Sequence, residues 1–163
     1  MTPDLSLVVP AYNEELRLKR TLPLIVGFAK KRKAEVIVVD DGSTDGTAGL
    51  VKRTEGVRLV QNGRNRGKGF SVRNGMLAAT GKWRLFMDAD LSTPLKEVER
   101  LLAAGTPVVI GSRQAVGANI VVKQPLARRV AGRAFRLLVS VLAFPGIKDT
   151  QCGFKLFRDD AAE

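Results

Sequence analysis

The chain has 163 residues, 45% of them apolar, and a formal net charge of +11, which allows one domain with a proper core and points its surface toward anionic partners. It has no histidine and one cysteine, Cys152, so imidazole general bases, Ser-His-Asp triads, most zinc sites and any internal disulfide are excluded. Chemistry must run on carboxylates, Lys, Arg and metal, and the lone thiol fits a buried small hydrophobe in a reducing compartment. The first apolar run, Leu5 to Val9, follows Met1 to Asp4 directly; it is too short for a signal-peptide core and has no basic segment before it. No stretch reaches the roughly 20 apolar residues that span a bilayer. A protein made in the cytoplasm, soluble or peripheral to a membrane, is expected.

Leu16 to Ala29 places Leu18, Leu22, Ile25, Val26 and Ala29 on one helical face and ends in Lys30, Lys31, Arg32 and Lys33, cations that suit a helix C-terminus. Pro23 stands inside it as a potential break or kink. Further strands are expected at Val36 to Val39, Val57 to Val60, Trp83 to Met87 and Val108 to Ile110, with helices at Ser43 to Lys52, Gly69 to Ala79 and Thr93 to Leu102. Ser43 or Thr44 would cap the second helix, and Thr93 with Pro94 would open the fourth. From Pro125 to Phe144 the pattern carries Arg129, Arg133, Arg136 and Ser140 as one polar stripe on an apolar cylinder. Such a basic amphipathic helix suits an anionic membrane surface, and a core helix with its arginines in water is the plainer alternative. The alternation reads as an α/β domain with a largely parallel sheet.

Open parallel sheets bind ligands beyond the carboxyl ends of their strands. There the sequence puts Pro10 to Glu15, Asp40 to Ser43, Asp88-Ala89-Asp90 and Gly111-Ser112-Arg113. Asp88 and Asp90, two apart at the end of an extended run, would point to the same side, where mutual repulsion favours a hard cation, Mg²⁺ or Mn²⁺. Two aspartates around an alanine are more often a solvated strand end; the preceding Arg84 to Met87 run strengthens the metal reading. Asp40 and Asp41 follow a strand buried on both faces and read equally as turn formers or as a base- and ribose-binding pair. Asn62 to Gly69 joins glycines to three cations ahead of a helix, a setting in which amides and side chains approach phosphate, with Lys68 the chosen contact. Arg113 is placed to reach the same diphosphate, although a lone arginine there is commonly a surface group.

These residues resemble the inverting family 2 glycosyltransferases of nucleotide-sugar binding A-type (GT-A) fold, and most closely the dolichyl-phosphate and polyprenyl-phosphate β-glucosyltransferases. The resemblance runs through Val9 to Glu15, Val38 to Ser43, Asn65 to Gly69, Asp88 to Asp90, Gly111 to Arg113 and, most discriminating, Asp149 to Phe157. It implies a Rossmann-like, mostly parallel sheet with flanking helices. It implies that Pro10, Tyr12, Glu14 and Asp41 hold the nucleoside, with Asp40 beside them. Asp88, Ala89 and Asp90 would form the metal and diphosphate site, Arg113 and Lys155 would lie near the phosphates, and Arg128 or Arg129 would meet the acceptor phosphate. The implied donor is a UDP-sugar in preference to a GDP-sugar, and the implied acceptor a lipid phosphate. Residues 1–115 would be the nucleotide-sugar half of a single domain and 116–163 its acceptor- and membrane-facing part. Leu91-Ser92-Thr93 departs from the Gly-Ala-Thr of several eukaryotic relatives, and the chain stops at Glu163 where family members continue, so the acceptor side is expected to be incomplete.

The competing classes each lack a feature. A nucleotidyltransferase or a dinucleotide dehydrogenase wants a glycine-rich loop after the first strand, where Pro10-Ala11-Tyr12-Asn13 stands. A nucleic-acid module, suggested by the charge, would interleave aromatics with its cations, yet the chain has one Trp and one Tyr; nucleic acid is not the expected partner. A GDP-mannose-dependent polyprenyl-phosphate mannosyltransferase and a non-catalytic nucleotide-sugar binder remain as alternatives.

Overall fold

The computed structural model describes residues 3–112 and 152–162. Met1–Val109 with Gly153–Glu163 form one compact unit, and Ile110–Cys152 form a second. Arg113, Arg128, Arg129 and the expected basic helix at 125–144 lie outside the described residues.

The strands are β1 (Leu5–Ala11), β2 (Glu35–Asp40), β3 (Arg58–Gln61), β4 (Trp83–Met87), β5 (Val108–Ile110) and β6 (Phe154–Arg158). They form one sheet in the order β3-β2-β1-β4-β6-β5. β1 runs parallel to β2 and β4, and β2 parallel to β3. The α/β expectation and all five expected strands are present; β6 is an addition. It pairs antiparallel with β4, Met87 opposite Phe154 and Trp83 opposite Arg158, and its Arg158 N–H donates to Pro107 O at 2.8 Å beside β5.

Both faces of the central strands are dry. Val8, Ile37, Val39 and Phe86 form a cluster with Met76 and Ala79 on one side, while the alternate residues Leu7, Val9, Val36, Val38, Leu85 and Met87 are buried on the other. The first cluster is closed by α3 (Lys68–Ala78), which approaches so closely at Gly75 that a Cβ there would run into Val8 and Val39. Against the sheet also lies α1 (Glu15–Arg32), with Leu18, Leu22, Ile25 and Ala29 buried.

Pro23 neither breaks nor ends α1, which runs through it for 18 residues. Proline inside a helix costs about 3 kcal/mol, and the buried Leu22 and Ile25 on either side hold the helix in register against that cost. Two helix starts fall later than expected, while α3 begins one residue early, at Lys68. α2 (Thr47–Lys52) begins four residues after Ser43, and α4 (Glu97–Ala103) four after Thr93. Ahead of α4, Glu97 N–H donates to Pro94 O and Val98 N–H to Leu95 O, so Thr93 and Pro94 enter a tight turn and do not cap the helix.

Candidate functional site

The carboxyl ends of β1, β2 and β4 meet at one cleft of about 390 Å³. Its walls come from Pro10 and Ala11 at the end of β1 with Tyr12, Glu14 and Arg17 beyond it, Asp41 after β2, Asp88 to Asp90 after β4, and Asn65, Gly67, Lys68 and Ser71 about the start of α3.

The first two loops are tied together. Asn13 takes a left-handed backbone with φ of 53°, which asparagine tolerates; its N–H donates to Ser43 Oγ, and its Oδ1 accepts from Thr44 N at 2.9 Å. Glu14 N–H donates to Thr47 Oγ1 and Glu15 N–H to Asp45 Oδ2. The Ser43 and Thr44 side chains thus bond across the loops, and Asp45 divides its carboxylate between Glu15 N–H and the local Thr47, so that α2 starts late, at Thr47.

Asp41 is 3% exposed and is the anchor of the third loop. Its carboxylate accepts from Asn62 Nδ2 at 2.7 Å, Arg66 N at 3.0 Å and Gly67 N at 2.8 Å. Burial pushes this carboxyl up, but the bonds from Asn62, Arg66, Gly67 and Ser71 outweigh it and hold the group below its ordinary value. The amides of Arg66 and Gly67 therefore serve Asp41, and the expected phosphate approach by this loop's backbone is narrowed to its side chains. Asp40 is buried as well, accepting from Ser43 N and Gln61 Nε2; it does not line the cleft.

Asp88 and Asp90 share the cleft wall, but on a turn, not an extended run. Leu91 N–H closes the turn onto Asp88 O, and Asp90 Oδ1 accepts from Ser92 N at 2.9 Å. Leu91 has φ of 53°, a left-handed position that costs a non-glycine residue about 1 kcal/mol. Thr21 of α1 pins the turn, its Oγ1 donating to Ala89 O at 2.8 Å. Gly153 closes on Asp88 from β6: its carbonyl accepts from Asp88 N at 3.1 Å, and a Cβ on it would overlap the Asp88 carboxylate. Gly153→Ala is expected to fold yet weaken Mn²⁺ binding about tenfold, because the added methyl forces the Asp88 carboxylate to turn aside; titration of Mn²⁺ by electron paramagnetic resonance checks it.

Cations complete the wall. Arg17 Nη1 donates to both oxygens of Glu14, at 2.6 and 2.8 Å. The hydrogen bond to Glu14 and then its charge push the guanidinium above its ordinary value against a little burial, and Asp90 adds further attraction. Lys68 Nζ donates to Asp88 Oδ1 at 2.6 Å, and Arg66 lies over the Phe70 ring, 3.8 Å from its centroid. Lys155 pairs with Phe86, one step inside the sheet edge, and is not on the cleft wall. Pro10, Tyr12, Glu14, Asp41, Lys68, Asp88, Ala89 and Asp90 are thus brought together as expected. Arg17 and Thr21 are additions. The Glu14/Arg17 spacing of three before a helical pattern was the sequence signal for the first; the second had none, since its partner is 68 residues away.

Asp88 and Asp90 fit a divalent ion. Two carboxylates completed by phosphate oxygens and water are a set that Mg²⁺ and Mn²⁺ accept, and among the described residues no group of three or more carboxylate or thiol ligands offers a closed protein cage. Among the same residues no helix is long and apolar enough to cross a membrane.

Comparison with known proteins places this geometry. The chain is 37% identical to a dolichyl-phosphate β-glucosyltransferase of Dictyostelium discoideum, over 97% of this chain and 55% of that protein. It is 39% identical to that of Drosophila melanogaster, over 94% and 54%. It thus spans a little over half the length of these relatives. Among solved structures, a mannosyltransferase from Pyrobaculum calidifontis in complex with GDP-Man and Mn²⁺ superposes with a TM-score of 0.60 at 25% identity, covering 97% of this chain and 45% of that one. The fold is that of the GT-A glycosyltransferases. The family model of glycosyl transferase family 2 matches residues 6–163, and the chain belongs to that family.

Proposed function

We propose that the chain is the donor-binding part of an inverting glycosyltransferase that moves glucose from UDP-glucose to a polyprenyl or dolichyl phosphate at the cytoplasmic face of a membrane. One observation carries the donor side. On a chain of net charge +11, the cleft wall gathers Glu14, Asp41, Asp88 and Asp90 against Arg17 and Lys68. Such a wall repels a diphosphate unless a divalent cation comes with it. The relatives' identity of 37–39% supports glucose and a lipid phosphate as the transferred group and acceptor.

Asp88 and Asp90 would hold the ion, which when bound neutralises the leaving diphosphate. Pro10 and the half-exposed Tyr12 are placed to flank the base. Lys68 supplies a phosphate contact from the helix start. Arg113 is assigned to the donor phosphates and Arg128 or Arg129 to the acceptor, all three outside the described residues; Lys155, off the cleft wall, is given no donor contact. With no histidine, the acceptor itself makes a base unnecessary: a phosphate monoester has its second pKa near about 6, so at neutral pH it attacks already deprotonated. In-line attack on an α-linked donor gives a β-linked product.

The test is calorimetric titration with UDP-glucose and GDP-mannose, each with and without Mn²⁺. UDP-glucose is expected to bind only with metal, and GDP-mannose at least about tenfold more weakly. Tighter binding of GDP-mannose overturns the donor, and transfer to a polyprenol as fast as to polyprenyl phosphate overturns the acceptor.

A further inference from the structure

Lys68 is the first residue of α3, and its ammonium is directed to the carboxylate that the metal needs. Nζ lies 2.6 Å from Asp88 Oδ1 and 5.4 Å from the centroid of the Phe86 ring. The Asp88 side chain is 30% exposed and that of Lys68 59%. Asp88 is hemmed on its other side by Gly153, so the carboxylate has little room to meet a second cation while keeping the first. A divalent ion and an ammonium on one oxygen also repel each other.

We propose that Lys68 is the internal counter-ion of Asp88, displaced when the divalent ion binds, and that the incoming diphosphate gives the released ammonium its next partner. This rests on the donor-site reading of the cleft. Metal alone must break the Lys68–Asp88 pair and leave a cation stranded among metal charge; metal with diphosphate breaks the same pair but hands the ammonium a dianion a short swing away. One side chain therefore opposes the ion in the absence of nucleotide and favours it in its presence. Metal and nucleotide then bind with positive coupling, equal in both directions, and the free cleft is guarded against holding a cation without its donor.

The experiment measures Mn²⁺ affinity by electron paramagnetic resonance, with and without UDP, in the parent chain, Lys68→Met and Lys68→Arg. Lys68 is exposed at a helix start, so Met, a straight chain of similar length, is accommodated there. Without nucleotide, Lys68→Met is expected to bind Mn²⁺ about fivefold more tightly, the strength of a good exposed ion pair. Lys68→Arg should stay close to the parent. The factor by which UDP tightens Mn²⁺ should shrink at least about threefold in Lys68→Met. Equal or weaker Mn²⁺ binding by Lys68→Met without nucleotide overturns the displacement. So does a gain that survives the added change Asp90→Asn, since the ion then sits elsewhere. If the parent binds no UDP with or without Mn²⁺, the donor reading falls and the coupling with it, whereas UDP binding with an unchanged coupling factor overturns the coupling alone.

Discussion

Asp90→Ala is expected to abolish Mn²⁺-dependent binding of UDP, weakening it at least about a hundredfold, while moving the thermal midpoint by no more than about 2 °C. Asp90 is exposed, and among the described residues its carboxylate accepts one hydrogen bond, a local one from Ser92 N. The turn it sits in is held independently by Thr21 on Ala89 and by the Leu91 N–H on Asp88 O. On the proposed ligand pair Asp88 and Asp90, its loss removes one of two carboxylates and leaves the cleft's shape alone. Titration calorimetry with and without Mn²⁺, beside a scanning melt, separates the two effects. A variant that keeps metal-dependent binding shows that the ion is held without Asp90; one that melts far lower shows that the residue is structural.

Asp41→Asn should do the reverse, costing about 3 kcal/mol, or about 9 °C in thermal midpoint. The exchange keeps volume but sets an amide NH₂ where a carboxylate oxygen receives Arg66 or Gly67 N–H, so one of those donors is left facing another donor in a buried place. The effect also has a pH signature. Because the folded carboxyl sits below its ordinary value, the stability it contributes is complete above the ordinary range and is lost in acid as pH falls through the lowered value. The gap between parent and variant in urea midpoint should hold from neutrality to about pH 4 and close below it. Donor affinity should fall as well, since the loop that Asp41 anchors also carries Lys68. A gap that widens in acid contradicts the assignment.

The core strands were legible because runs such as Val36 to Val39 have no other use than burial on both faces. The acidic residues beyond the strands were legible for the opposite reason, since a basic chain that gathers carboxylates at one sheet edge has few structural motives for it. What escaped was partner choice. Ser43, Thr44 and Thr93 have the composition of helix caps, yet Ser43 and Thr44 bond to Asn13, 30 and 31 residues away, and local propensity carries no record of that. Asp41, which the resemblance sets among the nucleoside-holding residues, does line the cleft, but the bonds by which its oxygens hold the next loop left no local sign. β6 was hidden in a different way. Phe154-Lys155-Leu156-Phe157 does alternate as a strand should, but the same residues form the most distinctive stretch of the family resemblance, and their antiparallel pairing with β4, Trp83 opposite Arg158, is a long-range event.

The position of β6 between β4 and β5 has a consequence for synthesis on the ribosome. β5 emerges some 45 residues before the strand that must separate it from β4, so neither has its final neighbour until Phe154–Arg158 has left the exit tunnel. In that interval β4 is an open edge carrying Leu85, Phe86 and Met87, a segment able to pair with another nascent chain. The same delay applies to chemistry: Gly153 reaches Asp88 only when β6 docks. Nascent chains arrested before residue 154 should therefore be captured by chaperones, and docking of β6 covers the open edge of β4 and brings Gly153 to Asp88 in a single event.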